Sequence, residues 1–135
     1  MPASISELRS GLSAAIGTLA GVRTYDNIPD APVAPAAIIE LRSIDYDSTF
    51  ARGADEYRFA VVLISGRADD RTAQARLEGW AQGHGFGSFK TAVEDDPTLG
   101  GTCSALRVES ASGLQSIEVN NSPHLAIEFS ILLYA

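Results

Sequence analysis

Hydrophobic residues recur along the first twenty positions at the spacing of an α-helix. Ser4 and Glu7 form an S-x-x-E capping box, in which each side chain can accept a backbone N–H of the other residue. The apolar positions at steps of three and four are Ile5, Leu8, Leu12, Ile16 and Leu19. They form one helical stripe, and Gly21 is a natural residue just past a helix end. The pattern predicts an amphipathic helix over residues 4–20.

The chain then changes to patterns of extended structure. Three prolines within residues 25–35 each remove a backbone donor and favour extended structure before them, which predicts a stiff connector. Residues 36–42 predict a strand, and the polar residues 43–56 predict a long hairpin-like loop. Residues 57–65, YRFAVVLIS, predict a strand that becomes apolar on both faces. Such a strand is typical of the centre of a sheet or of a position under a helix.

The next third of the chain predicts two helices. The helix within residues 66–83 is expected to point Ala73, Leu77, Trp80 and Ala81 inward and Arg71, Arg76 and Glu78 outward. Ser88 can cap a short third helix, FKTAVEDD, whose inner face would be Phe89, Ala92 and Val93. Pro97 would end that helix.

The last third predicts three strands. Residues 104–110 and 115–121 are expected to form two of them on either side of Gly113. Residues 124–135 alternate apolar and polar positions and predict a closing strand. Because the chain has no repeat and no shift in composition, we expect residues 1–135 to form one α+β domain. Its sheet would be mainly antiparallel, with four to five strands, packed by the N-terminal helix and the central helix pair.

Charge and cysteine content narrow the possible functions. The 135 residues include 17 acids and 10 bases, a net charge of −7, which disfavours a protein that grips a phosphate backbone. No apolar run approaches the ~20 residues that cross a bilayer, and no secretory signal is expected. The single cysteine, Cys103, excludes an intramolecular disulfide and a cysteine-based zinc cluster within this chain.

Three successive carboxylates, Glu94, Asp95 and Asp96, stand before a proline and a Gly-Gly pair. They lie at the C-terminal end of a predicted helix, where the helix dipole disfavours negative charge. Neighbouring helical positions diverge by about 100°, however, so the three side chains do not converge on one metal ion. We expect a solvated turn here rather than a metal or acid-base site.

Two further segments suggest chemistry only weakly. Asp45 and Asp47 have a D-x-D spacing, but they lie in a polar loop without a third carboxylate in register. A contact loop is the better interpretation, with Tyr46 as an aromatic residue at an interface rim. The segment GHGFGS, residues 83–88, precedes a helix but lacks the G-K-[ST] ending of a phosphate-binding loop. We expect it to be a helix–helix connection.

Catalytic and metal-binding constellations are not recognisable in the sequence. His84 and His124 are far apart and have no evident nucleophile partner, and Cys103 is expected to be a packed structural thiol. The G-x-S-x-G, H-E-x-x-H and dinucleotide-binding motifs are missing from the sequence. The sequence therefore predicts a protein that is not an enzyme and needs no cofactor or metal.

The order of segments resembles a known family. An opening ELRSGLSAAIGTLAGVRTYDNIPD leads into APVAPAAIIEL, and the central strand runs into VVLISGRADDRTAQARL. GFGSFKTAVEDDPTLGG, CSALRVES and an apolar last strand follow. This run, over nearly the whole chain, resembles the tail terminator (minor tail) proteins of long-tailed bacteriophages and gene transfer particles. Its most telling part is the helix ending EDDPTLGG before an LRV strand. The GHGFG segment and Cys103 have no counterpart that we can assign.

The resemblance implies a structural role in the virion, at the junction of tail and head, after assembly in the host cytoplasm. Such proteins form a six-fold ring of identical subunits on the tail tube protein, end tube polymerisation and meet a head-side connector protein. DNA passes through the ring without specific binding, and no membrane is involved. On this basis loop 43–56 would reach a neighbour or the tube, and arginines would pair with acids of the next subunit. The expected interface residues are Asp45, Tyr46, Asp47, Phe50, Arg52, Arg58, Asp95 and Asp96.

Two alternatives remain at this point. A head–tail adaptor or neck protein of the same particles has a similar size and α+β character, and it would bind the portal ring instead of the tube. A small-ligand-binding module or cryptic hydrolase belongs to another class. That alternative requires a concave pocket with convergent polar groups and shifted pKa values.

Overall fold

Three helices and five strands make up the structure, a computed structural model. It describes residues 4–19, 22–25, 35–46, 55–67, 71–83, 88–95, 98–99, 101, 103, 105–119 and 122–135. The helices are α1 (Ile5–Ile16), α2 (Arg71–Ala81) and α3 (Phe89–Glu94). The strands are β1 (Arg23–Tyr25), β2 (Ala36–Asp45), β3 (Glu56–Arg67), β4 (Ala105–Val119) and β5 (Ser122–Tyr134).

The five strands form one mixed sheet in the order β1-β2-β3-β5-β4. Among the described strands, β1 and β2 pair in parallel, and the other three pairs are antiparallel. A single α+β domain with a mainly antiparallel sheet is therefore confirmed. The sheet places β3 between β2 and β5, which agrees with its apolar character on both faces. Strand β1 is a three-residue strand that the sequence pattern did not predict.

Helix α1 begins as predicted and ends early. The capping box is formed, with the Ser4 hydroxyl accepting the Glu7 N–H at 3.1 Å. The helix ends at Ile16, and Gly17 is its C-cap. Beyond it, the Thr18 and Leu19 N–H groups bond three residues back, as in a tightened last turn. Leu19 is still buried, so its place in the apolar stripe is confirmed although the helix does not extend to residue 20.

The main core lies between one face of the sheet and the three helices. The central strands contribute Phe59, Val61, Phe129 and Ile131, and the rings of Phe89 and Phe129 stack at 4.1 Å. The helices contribute Leu8, Leu12, Ile16, Leu77, Trp80, Phe89 and Val93. The other face of the sheet carries a smaller cluster of Ile38, Ile64 and Ala126. The predicted apolar faces therefore pack where the periodicity placed them, except at Ile5, which is 38% exposed at the first position of α1, so its predicted place in the buried stripe is wrong.

Two predicted orientations in α2 are wrong. Ala81 is exposed because it is the last residue of the helix and lies at the rim of a groove. Arg76 is half-buried rather than outward, and its guanidinium donates to the Ser65 carbonyl at 2.8 Å. The Ser65 hydroxyl in turn donates to the Ala73 carbonyl at 2.5 Å. These two bonds tie α2 to the end of β3.

Strand boundaries differ from the sequence prediction in two places. Residues 104–110 and 115–121 do not form two strands around Gly113, because β4 runs without a break and pairs with β5 along its length. Its register shifts at two irregularities, one of which spans Gly113, so the glycine lies in a bulge within a single strand rather than between two strands. Likewise, Asp45 pairs with Glu56, so the ends of predicted loop 43–56 belong to β2 and β3.

Candidate assembly surfaces

The predicted contact loop starts from the ends of β2 and β3. Asp45 closes β2 opposite Glu56, and Tyr46 follows it with 73% of its surface exposed. A tyrosine this exposed offers a large apolar ring and a hydrogen-bonding tip, which is the combination that interfaces favour. Asp47, Phe50 and Arg52 lie outside the described residues, as does Asp96 of the acidic stretch.

Arg58 is already bonded within the chain. Its guanidinium lies 2.7 Å from a carboxylate oxygen of Glu109 and 3.6 Å from one of Glu56. A second arginine on the same sheet face is placed similarly, since Arg42 lies 2.9 Å from Glu40 and 2.8 Å from Glu128. The expected pairing of Arg58 with an acid of another subunit would therefore compete with these internal pairs.

The three carboxylates of the acidic stretch have different environments. The Glu94 carboxylate accepts the Val108 backbone N–H at 2.8 Å and the Lys90 ammonium at 2.5 Å. The prediction of a solvated turn is therefore wrong for Glu94, because α3 packs against the edge of β4. Asp95 is exposed at the C-cap of α3. No hydrogen bond or ion pair joins its carboxylate to any residue that the structure describes.

One groove opens between the end of α2, the start of α3 and the edge of β4, with a volume of about 260 Å³. We call it the basic groove because Lys90 and Arg107 line it. Lys90 is held by Glu94, but Arg107 is exposed and its side chain has no partner among the described residues. The remaining lining is Ala81, Gly83, Val108, Glu109, Ser110, Ala111 and Phe129.

A second groove, of about 290 Å³, lies between α1 and α3. We call it the acidic groove because Asp95 is the one charged residue among the described residues that line it. Its other lining residues are Gly11, Ala14, Ala15, Thr18, Ala92 and Leu99. Leu99 has a positive φ of 49°, an uncommon conformation for a leucine. The two grooves thus lie on either side of α3 and carry unpaired side chains of opposite charge.

Two residues considered for catalysis or anion binding, Cys103 and Ser88, make structural contacts. Cys103 is buried in the main core, as expected of a packed thiol. The Ser88 hydroxyl donates to the Gln82 carbonyl at 2.5 Å and accepts the Thr91 N–H at 3.3 Å, so it joins α2 to α3. His84 and most of the GHGFGS segment lie outside the described residues.

The described residues contain neither a metal-binding cluster nor a membrane-spanning helix. No group of three or more His, Cys, Asp or Glu side chains there is arranged to hold a metal ion. No helix there is long and apolar enough to span a membrane.

One tyrosine has an altered acidity. Burial is the main cause that raises the pKa of Tyr57 above its ordinary value of 10.0, and the nearby Asp55 and Tyr46 add to it. Tyr57 is a core residue of β3 that stacks near Phe59, with ring centroids 6.4 Å apart. The shift therefore reflects packing at the base of the contact loop, and a raised pKa keeps this phenol neutral.

Sequence reasoning missed Arg107 and the small-residue wall of the acidic groove. The i, i+4 spacing of Lys90 and Glu94 was a readable signal for an ion pair on a helix. Their joint contact with Val108 was not readable, because it depends on how α3 lies against β4. Compared with known proteins, the chain matches no family model and no curated protein.

Proposed function

We propose that this protein is a structural virion component that caps a phage-type tail tube as a ring, ends tube growth and joins the tube to a head connector. The observation that carries the proposal is the order and spacing of its segments, from the capped first helix to the EDDPTLGG–LRV junction. The described surface adds two grooves, of about 260 and 290 Å³, that are suited to contact with other proteins.

A ring requires two different contact patches on each subunit. Head-to-tail interfaces join one patch of a subunit to another patch of the next, and they close when the rotation between subunits is right. The basic groove and the acidic groove differ in charge and lie on either side of α3. They therefore offer the unlike pair that a head-to-tail contact needs, alongside the exposed Tyr46 at the base of loop 43–56.

The overall charge also supports this role. A net charge of −7 repels a passing DNA duplex, so DNA can slide through a channel without being held. Arg42 and Arg58 do not reverse this repulsion of DNA, because the guanidinium of each lies between two glutamates. The protein would enclose DNA without binding it.

The direct test combines mass measurement with a tube-growth assay. Light scattering after size exclusion, over a range of concentrations, measures whether the purified protein forms a six-fold assembly. Separately, adding the protein to polymerising tube subunits of its particle should give tubes of finite length with one capped end. Tubes that keep elongating with uncapped ends would overturn the proposal.

The adaptor alternative makes a different prediction in the same system. A head–tail adaptor would bind the portal ring and leave tube growth unchanged, whereas a terminator would bind tube ends. Co-sedimentation with tubes and with portal rings, run in parallel, separates the two roles.

A further inference from the structure

We propose that Arg107 in the basic groove of one subunit forms a salt bridge with Asp95 in the acidic groove of the next. This inference rests on the proposed ring and names the charge pair that joins its subunits. In such a ring, each subunit would use Arg107 toward one neighbour and Asp95 toward the other. Its basis is the charge complementarity of two grooves on one chain.

Arg107 is suited to this role because neighbouring cations are already engaged. Arg58 is bonded to Glu109 at 2.7 Å, and Lys90 to Glu94 at 2.5 Å. Arg107 lines the same groove, is exposed, and has no side-chain partner among the described residues. Its planar guanidinium can donate two parallel hydrogen bonds to a carboxylate, which fixes orientation as well as affinity.

Asp95 is suited to be its partner for three reasons. Its carboxylate is exposed and unpaired among the described residues. It caps the C-terminal end of α3, where the helix dipole disfavours a negative charge, so local structure does not explain an acid there. The groove around it is walled mainly by small side chains, including Gly11, Ala14 and Ala92, which leave room for a long arginine side chain.

The edge of β4 favours a side-chain contact over extension of the sheet at this point. The Val108 backbone N–H and C=O are bonded by Glu94 and Lys90 at 2.8 and 3.3 Å. An incoming strand would have to displace both side chains to pair with Val108. Contact between subunits through Arg107 requires no such displacement.

The test is a charge-reversal cycle on the full chain. Arg107→Glu and Asp95→Arg each place like charges at the contact, so each should raise the midpoint concentration of assembly by about tenfold or more. Combining the two reversals restores opposite charges and should bring the midpoint to within about threefold of the wild type. Arg71→Glu and Glu78→Arg, both exposed on α2 and outside the two grooves, are the matched controls and should assemble normally.

Each result has one meaning. Weakened assembly of both single variants, together with restored assembly of the double variant, establishes the salt bridge. Thermal unfolding of each variant verifies that the monomers are folded. Normal assembly of the single variants, a double variant no better than either, or a wild type that stays monomeric even with tubes would overturn the pair. If the single variants assemble normally and still cap tubes, the pair is refuted but the proposed function stands. Restored assembly without any effect on tube length supports the pair and refutes the proposed function.

Discussion

The carboxylate of Glu94 in α3 accepts the backbone N–H of Val108 in β4 at 2.8 Å. Lys90, one turn earlier on the helix, donates to the Val108 carbonyl at 3.3 Å and to Glu94 at 2.5 Å. Two helical side chains thus take the place of a neighbouring strand at one position of an edge strand. Unpaired backbone groups at a sheet edge can pair with strands of other chains. The contacts of Glu94 and Lys90 with Val108 remove one such position.

Removing the Glu94 carboxylate should destabilise the domain. Glu94→Ala leaves the Val108 N–H without its charged acceptor, and we expect a loss of about 1–2 kcal/mol in the free energy of unfolding. Glu94→Gln retains an oxygen that can accept this bond, so it should lose less. Urea unfolding measures both, with Glu78→Ala at an exposed position of α2 as the control. Equal losses for Ala and Gln would show that the backbone bond does not matter.

Truncating the ring of Phe89 should have the largest effect on stability of the changes considered. Phe89 is fully buried and stacks on Phe129, joining the short helix α3 to the central sheet. Phe89→Ala should lower the free energy of unfolding by about 3–5 kcal/mol, whereas Phe89→Leu keeps most of the volume and should lose less. Chemical unfolding at one temperature provides the comparison. A small effect of the Ala variant would mean that α3 does not belong to the main core.

The raised pKa of Tyr57 predicts a loss of stability at alkaline pH. Well below pH 10 the phenol is protonated in both folded and unfolded chains and contributes no pH dependence. As the pH rises from there toward the folded pKa, the unfolded chain releases a proton that the folded chain retains, so stability falls. Tyr57→Phe should therefore flatten the decline measured between roughly pH 9 and 11. Tyr25→Phe removes another phenol as a control, and an equal flattening there would contradict the assignment.

Neutralising Asp95 should stabilise the isolated subunit while weakening its assembly. Asp95→Asn removes a negative charge from the C-terminal end of α3, which should raise the free energy of unfolding by about 0.3–1 kcal/mol. It also removes the proposed partner of Arg107. Thermal unfolding and light scattering on the same samples measure the two effects, and Asp95→Glu serves as the charge-preserving control. A variant that is less stable would indicate an internal role for the carboxylate.

The contact loop yields a separate prediction about assembly. Replacing Tyr46 and Phe50 together by Ser should leave the monomer folded and prevent ring formation. Tyr46 is 73% exposed, so its removal takes away contact surface without opening the core. Ile5→Ser, at the other exposed large hydrophobic residue among those described, is the matched control. Normal rings from the Tyr46 and Phe50 double variant would exclude the loop from the interface.

Periodic segments were predictable because their burial follows from local geometry. The stripe through Leu8, Leu12 and Ile16 and the alternation through Phe129 and Ile131 both appear as buried faces. Predictions failed where a glycine had two possible roles. Gly17 ends α1 early, and Gly113 lies in a bulge of β4 rather than between two strands. The residue type is the same in each role, and only the surrounding tertiary structure decides between them.

The sequence by itself determined most of the element types and apolar faces, the acidity and the absence of recognisable catalytic motifs, because these depend on residue identity and short-range spacing. Only the tertiary structure decided which charges are used internally. Arg58 and Glu94 bind within the chain, whereas Arg107 and Asp95 remain unpaired among the described residues. The partners Arg58–Glu109 and Glu94–Val108 are 51 and 14 positions apart in sequence. Such contacts depend on how strands and helices are placed together, and no local pattern encodes that placement.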